Sequence, residues 1–374
     1  MILSLALLFF ACSAPPPPAG PPSACDVLVA TGGAPATALA AAEAHLAAAR
    51  SRGDEGEYTL ADAALRCHLS LHAGDTTAQA LAVHLLVQDH DFVGAERAGR
   101  ELTAKLPTDW QAWAFLGDAR MEQGDNDGAA EAYQRAADLR PGLAVYDRIG
   151  WLRWLEGDFA GAVEMAELAV STGTAADPDS YAWVLTRLGW LHALSGQPTP
   201  ELDAALALVP GSAPARLAKA RVDLVRDPET ARAALPELLA LSTSIEGWRL
   251  YTEAAAFPGD PPPGAAPLGD RRGLADYLAP RDPARALALA DEELVLRHDA
   301  VTRMTRAWAA FHAQKPGFAD EARAALATGC IEPRVLHHGA VILGDVELAK
   351  RALAMGAGLL PSERAVLAAL VAAP

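Results

Sequence analysis

What this chain has little of constrains it first. Aromatic residues make up 6% of its 374 residues although 51% are hydrophobic, so the apolar mass is small-sided, much of it alanine suited to close contact between helices. No alternation of β-branched and polar residues lasts long enough to mark a strand, which argues against a sheet-based fold. The four cysteines, at 12, 25, 67 and 330, lack the close pairing that holds zinc or runs redox exchange. The ten histidines are scattered, and no His-Glu-x-x-His, Gly-x-Ser-x-Gly or phosphate-cradling glycine loop occurs. No catalytic set, metal centre or cofactor is therefore expected. Positive charge is short as well: 31 Lys and Arg against 47 Asp and Glu leave a formal charge of -16. Nucleic acid phosphates would be repelled, and basic or neutral proteins are the better partners. The acidic residues would otherwise serve only to keep exposed helix faces soluble.

What is present is a repeat. Trp113-x2-Leu116-Gly117-x2-Arg120 is followed by Ala129-x3-Tyr133 and then Pro141, a spacing that resembles the 34-residue tetratricopeptide repeat. Gly117, Ala129 and Ala136 are small where two antiparallel helices must approach. Trp113, Leu116 and Tyr133 fill the space between hairpins, and Pro141 ends the second helix. Gly124-Asp125 marks the turn, with glycine suited to a left-handed helix end and aspartate to the next helix start. The resemblance implies an all-α chain, an α-solenoid of stacked antiparallel helix hairpins forming a TPR superhelix.

Degenerate copies flank this repeat. Upstream, Ala82-Val83, His90-Asp91, Ala95 and Pro107 take the template positions; downstream, Tyr146, Ile149-Gly150, Gly157-Asp158 and Ala162 recur, then Leu188-Gly189 with Gly196. A first hairpin is expected from Ala38 to Arg52, Gly53-Asp54 and Leu60 to Leu71. Asp227-Pro228 and Asp282-Pro283 read as helix starts. The segments around Trp151, Trp190 and Asp282 to Ala290, with Arg306 to Phe311, His338-Gly339, Leu343 to Asp345 and Ala349 to Leu353, are similar to a bacterial family of tetratricopeptide-repeat proteins. That resemblance implies protein interaction without enzymatic activity. The Pro/Gly-rich stretch 258–273 is expected to act as a hinge between a solenoid over 36–257 and C-terminal hairpins over 274–374.

The N-terminus reads as an export signal. Ile2 to Ala11 is too short for a bilayer that needs roughly 20 helical residues, but suits the core of a signal peptide over 1–11. Phe9-Phe10-Ala11-Cys12 resembles a bacterial lipoprotein cleavage box, which implies lipid attachment at Cys12. A Pro-rich tether over 12–35 would follow, on an exported protein in the cell envelope, with Ser13 leaning toward the outer membrane. Export also permits a Cys25–Cys67 disulfide; Cys67 is otherwise a core residue of its helix.

Three clusters bear on function. His337-His338 is the best metal candidate, yet neighbours on a helix point about 100° apart, so it is expected to be a surface pair at a helix start. Asp291-Glu292-Glu293 is expected to be a solvated face. The third cluster lies on the first helices of the hairpins, which in the family's geometry line the concave side. Arg148-Ile149-Gly150-Trp151-Leu152 recurs as Arg187-Leu188-Gly189-Trp190-Leu191, with Trp154 and Trp183 nearby. Arg and Trp anchor interfaces through large contact area and directional donors. Arg148 and Trp151, one turn apart, would clamp an extended peptide. The competing reading is that these tryptophans are ordinary core between adjacent first helices. The chain thus reads as a non-catalytic, membrane-tethered adaptor binding a protein or peptide on its concave face through Arg148, Trp151, Trp154, Trp183, Arg187 and Trp190. The alternative is a structural lipoprotein supporting an envelope or secretion complex.

Overall fold

The computed structural model describes residues 23–52, 54, 56–234, 236, 244–255 and 271–373. The expected signal peptide, Cys12 and the rest of the tether before residue 23, Gly53 and most of the 258–273 stretch lie outside them. The described residues contain 21 α-helices and no strand. After α1 (Ala24–Ala30), hairpins follow as α2 (Ala38–Arg52) with α3 (Gly56–Leu71), α4 (Thr76–Gln88) with α5 (Phe92–Lys105), and α6 (Trp110–Glu122) with α7 (Asn126–Leu139). Next come α8 (Leu143–Leu155) with α9 (Phe159–Thr172), α10 (Pro178–Leu194) with α11 (Pro200–Leu208), and α12 (Ala213–Arg226) with α13 (Pro228–Ala233), then α14 (Ile245–Ala255). The C-terminal array comprises α15 (Arg271–Leu278) with α16 (Pro283–Leu296), α17 (Ala300–His312) with α18 (Phe318–Leu326), α19 (Pro333–Leu343) with α20 (Val346–Leu353), and α21 (Pro361–Ala372). First helices stack on first helices, α4 on α6 on α8 on α10 on α12, and α15 on α17 on α19.

Local chemistry sets each hairpin. Asp91, Asp125 and Asp158 begin second helices, their carboxylates accepting from the amides of Gly94, Gly128 and Gly161 at 2.9, 3.0 and 2.8 Å. The residue three positions on is glycine in all three, although the same aspartate cap forms over Ala78 and Leu348 elsewhere in the chain. At Gly117 a Cβ would come within 2.4 Å of the Tyr133 ring, so the small residue sets the distance between α6 and α7. Tyr133 is buried beneath it and donates to Asp118 at 2.8 Å.

The N-terminal boundary differs from the expected tether. Ser23 caps α1, and the Cys25–Cys67 disulfide fastens that helix to α3. Residues 24–30 of the expected tether are therefore helical, with Leu28 buried against the first hairpin.

The two arrays lie side by side. The turns at one edge of the N-terminal array meet, in order, the loops of the C-terminal array. Arg297 donates to His90 at 2.7 Å and pairs with Glu122 at 3.3 Å. The amide of His298 donates to the Glu122 carbonyl at 3.3 Å. A Cβ on Gly157 would come 2.4 Å from the Gly329 carbonyl, and one on Gly356 would come 2.1 Å from that of Ala193. Loop thus meets turn along a seam, the Arg297–His298 loop spanning two successive turns and the loops at Gly329 and Gly356 meeting one each. Glu293 is buried here, bonded by Arg297 at 2.9 Å and Arg271 at 3.2 Å. This corrects the expectation of a wholly solvated Asp291-Glu292-Glu293 face: the first two are exposed, the third pins the seam.

Candidate functional site

The inner faces of the two arrays enclose a shaft with Trp151 at its centre. Trp151 lines three cavities, of about 270 Å³ toward α4, α6 and α10, about 250 Å³ toward α15, α17 and α19, and about 230 Å³ toward Trp190 and Arg221.

A ladder of arginines and aspartates runs up the first cavity, each arginine reaching back one hairpin. Arg148 on α8 meets Asp118 on α6 through two nitrogens at 2.9 and 3.0 Å, while Arg187 on α10 meets Asp147 on α8 at 2.6 Å. Burial works against the Arg148 charge, but Asp118 outweighs it and raises the Arg148 pKa, so the guanidinium stays charged. The second rung is aromatic as well: Arg187 lies 4.5 Å from the centre of the Trp151 ring and 5.3 Å from that of Trp183. The Trp183 indole donates to Asp147 at 3.0 Å. Each guanidinium lies over an aromatic ring and is paired with a carboxylate, an arrangement with little rotamer freedom left to lose on binding.

These positions sort the expected residues. Trp183 is 37% exposed, the one aromatic among the exposed large apolar side chains described. Trp151 and Trp190 are half-buried, and Arg148 and Arg187 line the cavity. Trp154 is 2% exposed and packs with Leu188 and Leu191, while still bordering the cavity toward Trp190 and Arg221. Three residues beyond Trp151, it is turned toward the neighbouring hairpin. Arg148 and Trp151 form no clamp, because Arg148 is committed to Asp118 and lies 5.4 Å from the Phe115 ring; Arg187 is the cation over Trp151.

Two lining residues, Arg50 and Tyr58, carried no sequence signal, whereas His84 holds the same repeat position as Trp151. Arg50 and Tyr58 reach the first cavity from the opening hairpin, and His84 lies at its wall. Burial pushes His84 down to about 4, leaving a neutral ring. Arg50 has no ion-pair partner among the described residues. The three lining arginines Arg50, Arg148 and Arg187 against Asp118 and Asp147 leave one uncompensated positive charge at the mouth. Across the shaft, Glu246 takes Arg221 at 3.0 Å and Arg334 at 3.9 Å. Burial alone would raise its pKa, but these cations hold it down to about 2.

His337 and His338 are both buried, correcting their assignment to the surface. Trp308 stacks on His338 with ring centres 4.2 Å apart, and His338 bonds Asp276. No group of three or more metal-ligating side chains occurs among the described residues. No single helix among them is long and apolar enough to cross a membrane.

The architecture is an all-α helical-repeat solenoid, and residues 111–142 match the family model for a tetratricopeptide repeat. Residues 111–142 are thus a tetratricopeptide repeat set within this helical-repeat solenoid. Among solved structures, the chain is similar to the APC/C hetero-tetramer Cut9-Hcn1 at 15% identity and a TM-score of 0.47, over 85% of this chain and 55% of that one. It is also similar to Naa15/Naa10 bound to HypK-THB, at 13% identity and a TM-score of 0.30 over 86% and 67% of the two chains. A third likeness is to the P58(IPK) TPR domain, at 12% identity and a TM-score of 0.24 over 88% and 98%. The chain spans about half the length of the first of these. No curated protein matches it.

Proposed function

We propose that this protein is a non-catalytic interaction scaffold that holds an extended segment of a protein partner in the shaft between its two arrays, with Trp183 at the entrance. The observation that carries the reading is the Trp151–Arg187–Trp183 stack pinned by Asp147. It is a preorganised aromatic and cationic platform left half open where the rest of the ladder is closed. The segment lies across Trp183 and Trp151 and offers a carbonyl or carboxylate to Arg50. The same proposal places the chain outside the cytoplasm, lipid-anchored through Cys12 to the outer membrane, facing the periplasm or cell surface. The Cys25–Cys67 bridge supports it, since such bonds persist in oxidising compartments.

Photo-crosslinking in the native host tests the groove. A photoreactive residue at Trp183 is expected to capture a discrete partner that the same residue at Val93, 67% exposed on α5, does not. Capture that is equal at both positions, or persists undiminished in Arg187→Ala, defeats the reading. For the anchor, labelled fatty acid is expected to enter the protein, and Cys12→Ser to release it from the membrane fraction.

A further inference from the structure

Of the three cavities around Trp151, the one of about 230 Å³ is lined by the indoles of Trp151, Trp154 and Trp190 together with Leu217 and Ala218. An indole N–H only donates, and it usually finds an acceptor when it is buried. Those of Trp113, Trp183 and Trp248 do, at the Pro107 carbonyl, Asp147 and the Tyr277 hydroxyl. Those of Trp151, Trp154 and Trp190 have no acceptor among the described residues, although Trp154 is 2% exposed. Three donors around one cavity are thus unspent.

The polar side of the cavity adds a fourth. Arg221 and Arg334 line it opposite Glu246 and Glu332, two cations against two carboxylates. Arg221 is committed, donating through Nε to Glu246 at 3.0 Å and through a terminal nitrogen to the Gly358 carbonyl at 3.0 Å. Glu332 is committed as well, accepting from the Arg334 and Val335 amides at 2.8 and 3.1 Å as the cap of α19. Arg334 is different. Its guanidinium stands 3.5 Å from Glu332, 3.6 Å from Asp276 and 3.9 Å from Glu246, close enough to share their charge, yet it makes no hydrogen bond among the described residues. Asp276 is held in addition by Arg249 and His338.

This inventory selects a ligand. Cations and carboxylates balance in the lining, so neither an anion nor a cation gains by entering. The open donors suit an uncharged acceptor, and the indole walls suit apolar surface. A peptide main chain bearing a large apolar side chain supplies both.

We infer that this cavity is the subsite that selects the bound segment, taking one large apolar side chain against Trp151, Trp154 and Trp190 while the adjoining main-chain carbonyls accept from Arg334 and the indole N–H groups. The inference rests on the scaffold reading proposed above and specifies the segment that the shaft holds.

Capped pentapeptides of four glycines around one central residue test it by calorimetric titration of the full chain. A central phenylalanine is expected to bind saturably and about tenfold or more tighter than a central alanine, with glutamate and lysine no tighter than alanine. Leu217→Trp, which fills the cavity, is expected to erase that preference. A second readout needs no variant: in protein with nitrogen-15 tryptophan, the phenylalanine peptide is expected to move the indole signals of Trp154 and Trp190 and to leave that of Trp113, held by Pro107, in place. Equal affinity for phenylalanine and alanine, a preference that survives Leu217→Trp, or a moved Trp183 signal with Trp154 unmoved overturns the subsite and leaves the scaffold reading standing. Absence of saturable binding by every peptide also overturns the subsite, and the Trp183 crosslink then decides the scaffold reading on its own.

Discussion

The guanidinium of Arg187 lies over the ring of Trp151, 4.5 Å from its centre, although the two residues stand on different hairpins and 36 positions apart. Within its own pentapeptide Arg187 precedes Trp190, and the same motif one repeat earlier supplies the tryptophan it covers. The repeated unit thus works across the hairpin boundary, each copy's arginine completing the copy before it.

Two tryptophans with similar sequence surroundings are expected to behave oppositely. Trp154→Ala empties a buried site and is expected to cost about 3–5 kcal/mol in chemical denaturation. Trp183→Ala is expected to cost under about 1 kcal/mol while removing partner capture. A Trp183→Ala loss as large as that of Trp154→Ala would make both structural.

Gly117→Val sets a side chain against Tyr133, where even a Cβ would stand 2.4 Å from the ring. The repeat cannot accept it without separating α6 and α7. Destabilisation of about 1–3 kcal/mol is expected, read as a lowered denaturant midpoint. Gly196→Ala meets no atom within 4 Å and carries only the cost of its positive φ.

Acid is expected to weaken the fold before the carboxylates protonate. His84, His90 and His337 are each pushed down to about 4, mainly by burial, with Arg297 adding to it for His90 and His338 for His337. The unfolded chain, with histidines near 6.5, binds more protons than the folded one between about pH 6.5 and 4, so stability falls as pH falls through that window. Each unit of depression is worth about 1.4 kcal/mol at full effect. Glu246, held down to about 2, adds loss only below the ordinary glutamate range. Denaturant midpoints at pH 7 and pH 5 check the first part; a flat profile across that interval refutes it.

Reduction is expected to act locally. The Cys25–Cys67 bond closes a loop of 42 positions, worth about 4 kcal/mol by chain entropy, and it fastens α1. Intact mass without reductant is expected to be lower by two hydrogens, and Cys25→Ser to expose α1 amides to hydrogen exchange while those of α6 and α7 stay protected.

What the sequence made legible was whatever is local to one hairpin. The Trp113 to Pro141 signature and the aspartate caps act over a few residues, so they can be read from the chain. That Trp154 is mostly core was not legible, because repeat position alone does not say which way a helix is turned toward the next hairpin. His337 and His338 were placed at the surface because a helix start carries no local sign of cover; here their rings meet, Nδ1 to Nδ1 at 2.9 Å, and both are buried, since α19 is covered on several sides at once by α17, α18, α20 and α21. The seam left no trace in any window, because its contacts join residues as far apart as His90 and Arg297. A hinge was expected at 258–273, yet the arrays on either side of that stretch meet loop to turn.

The closed arrangement is the claim on which the shaft depends, and one distance tests it. Spin labels at Val93→Cys and Val295→Cys, both exposed at 67% and 76%, flank the seam where Arg297 meets His90 and Phe92. Pulsed dipolar spectroscopy is expected to return a single narrow distance that broadens in Arg297→Ala. A broad distribution in the unmodified seam, with the C-terminal array swinging free, would contradict the account.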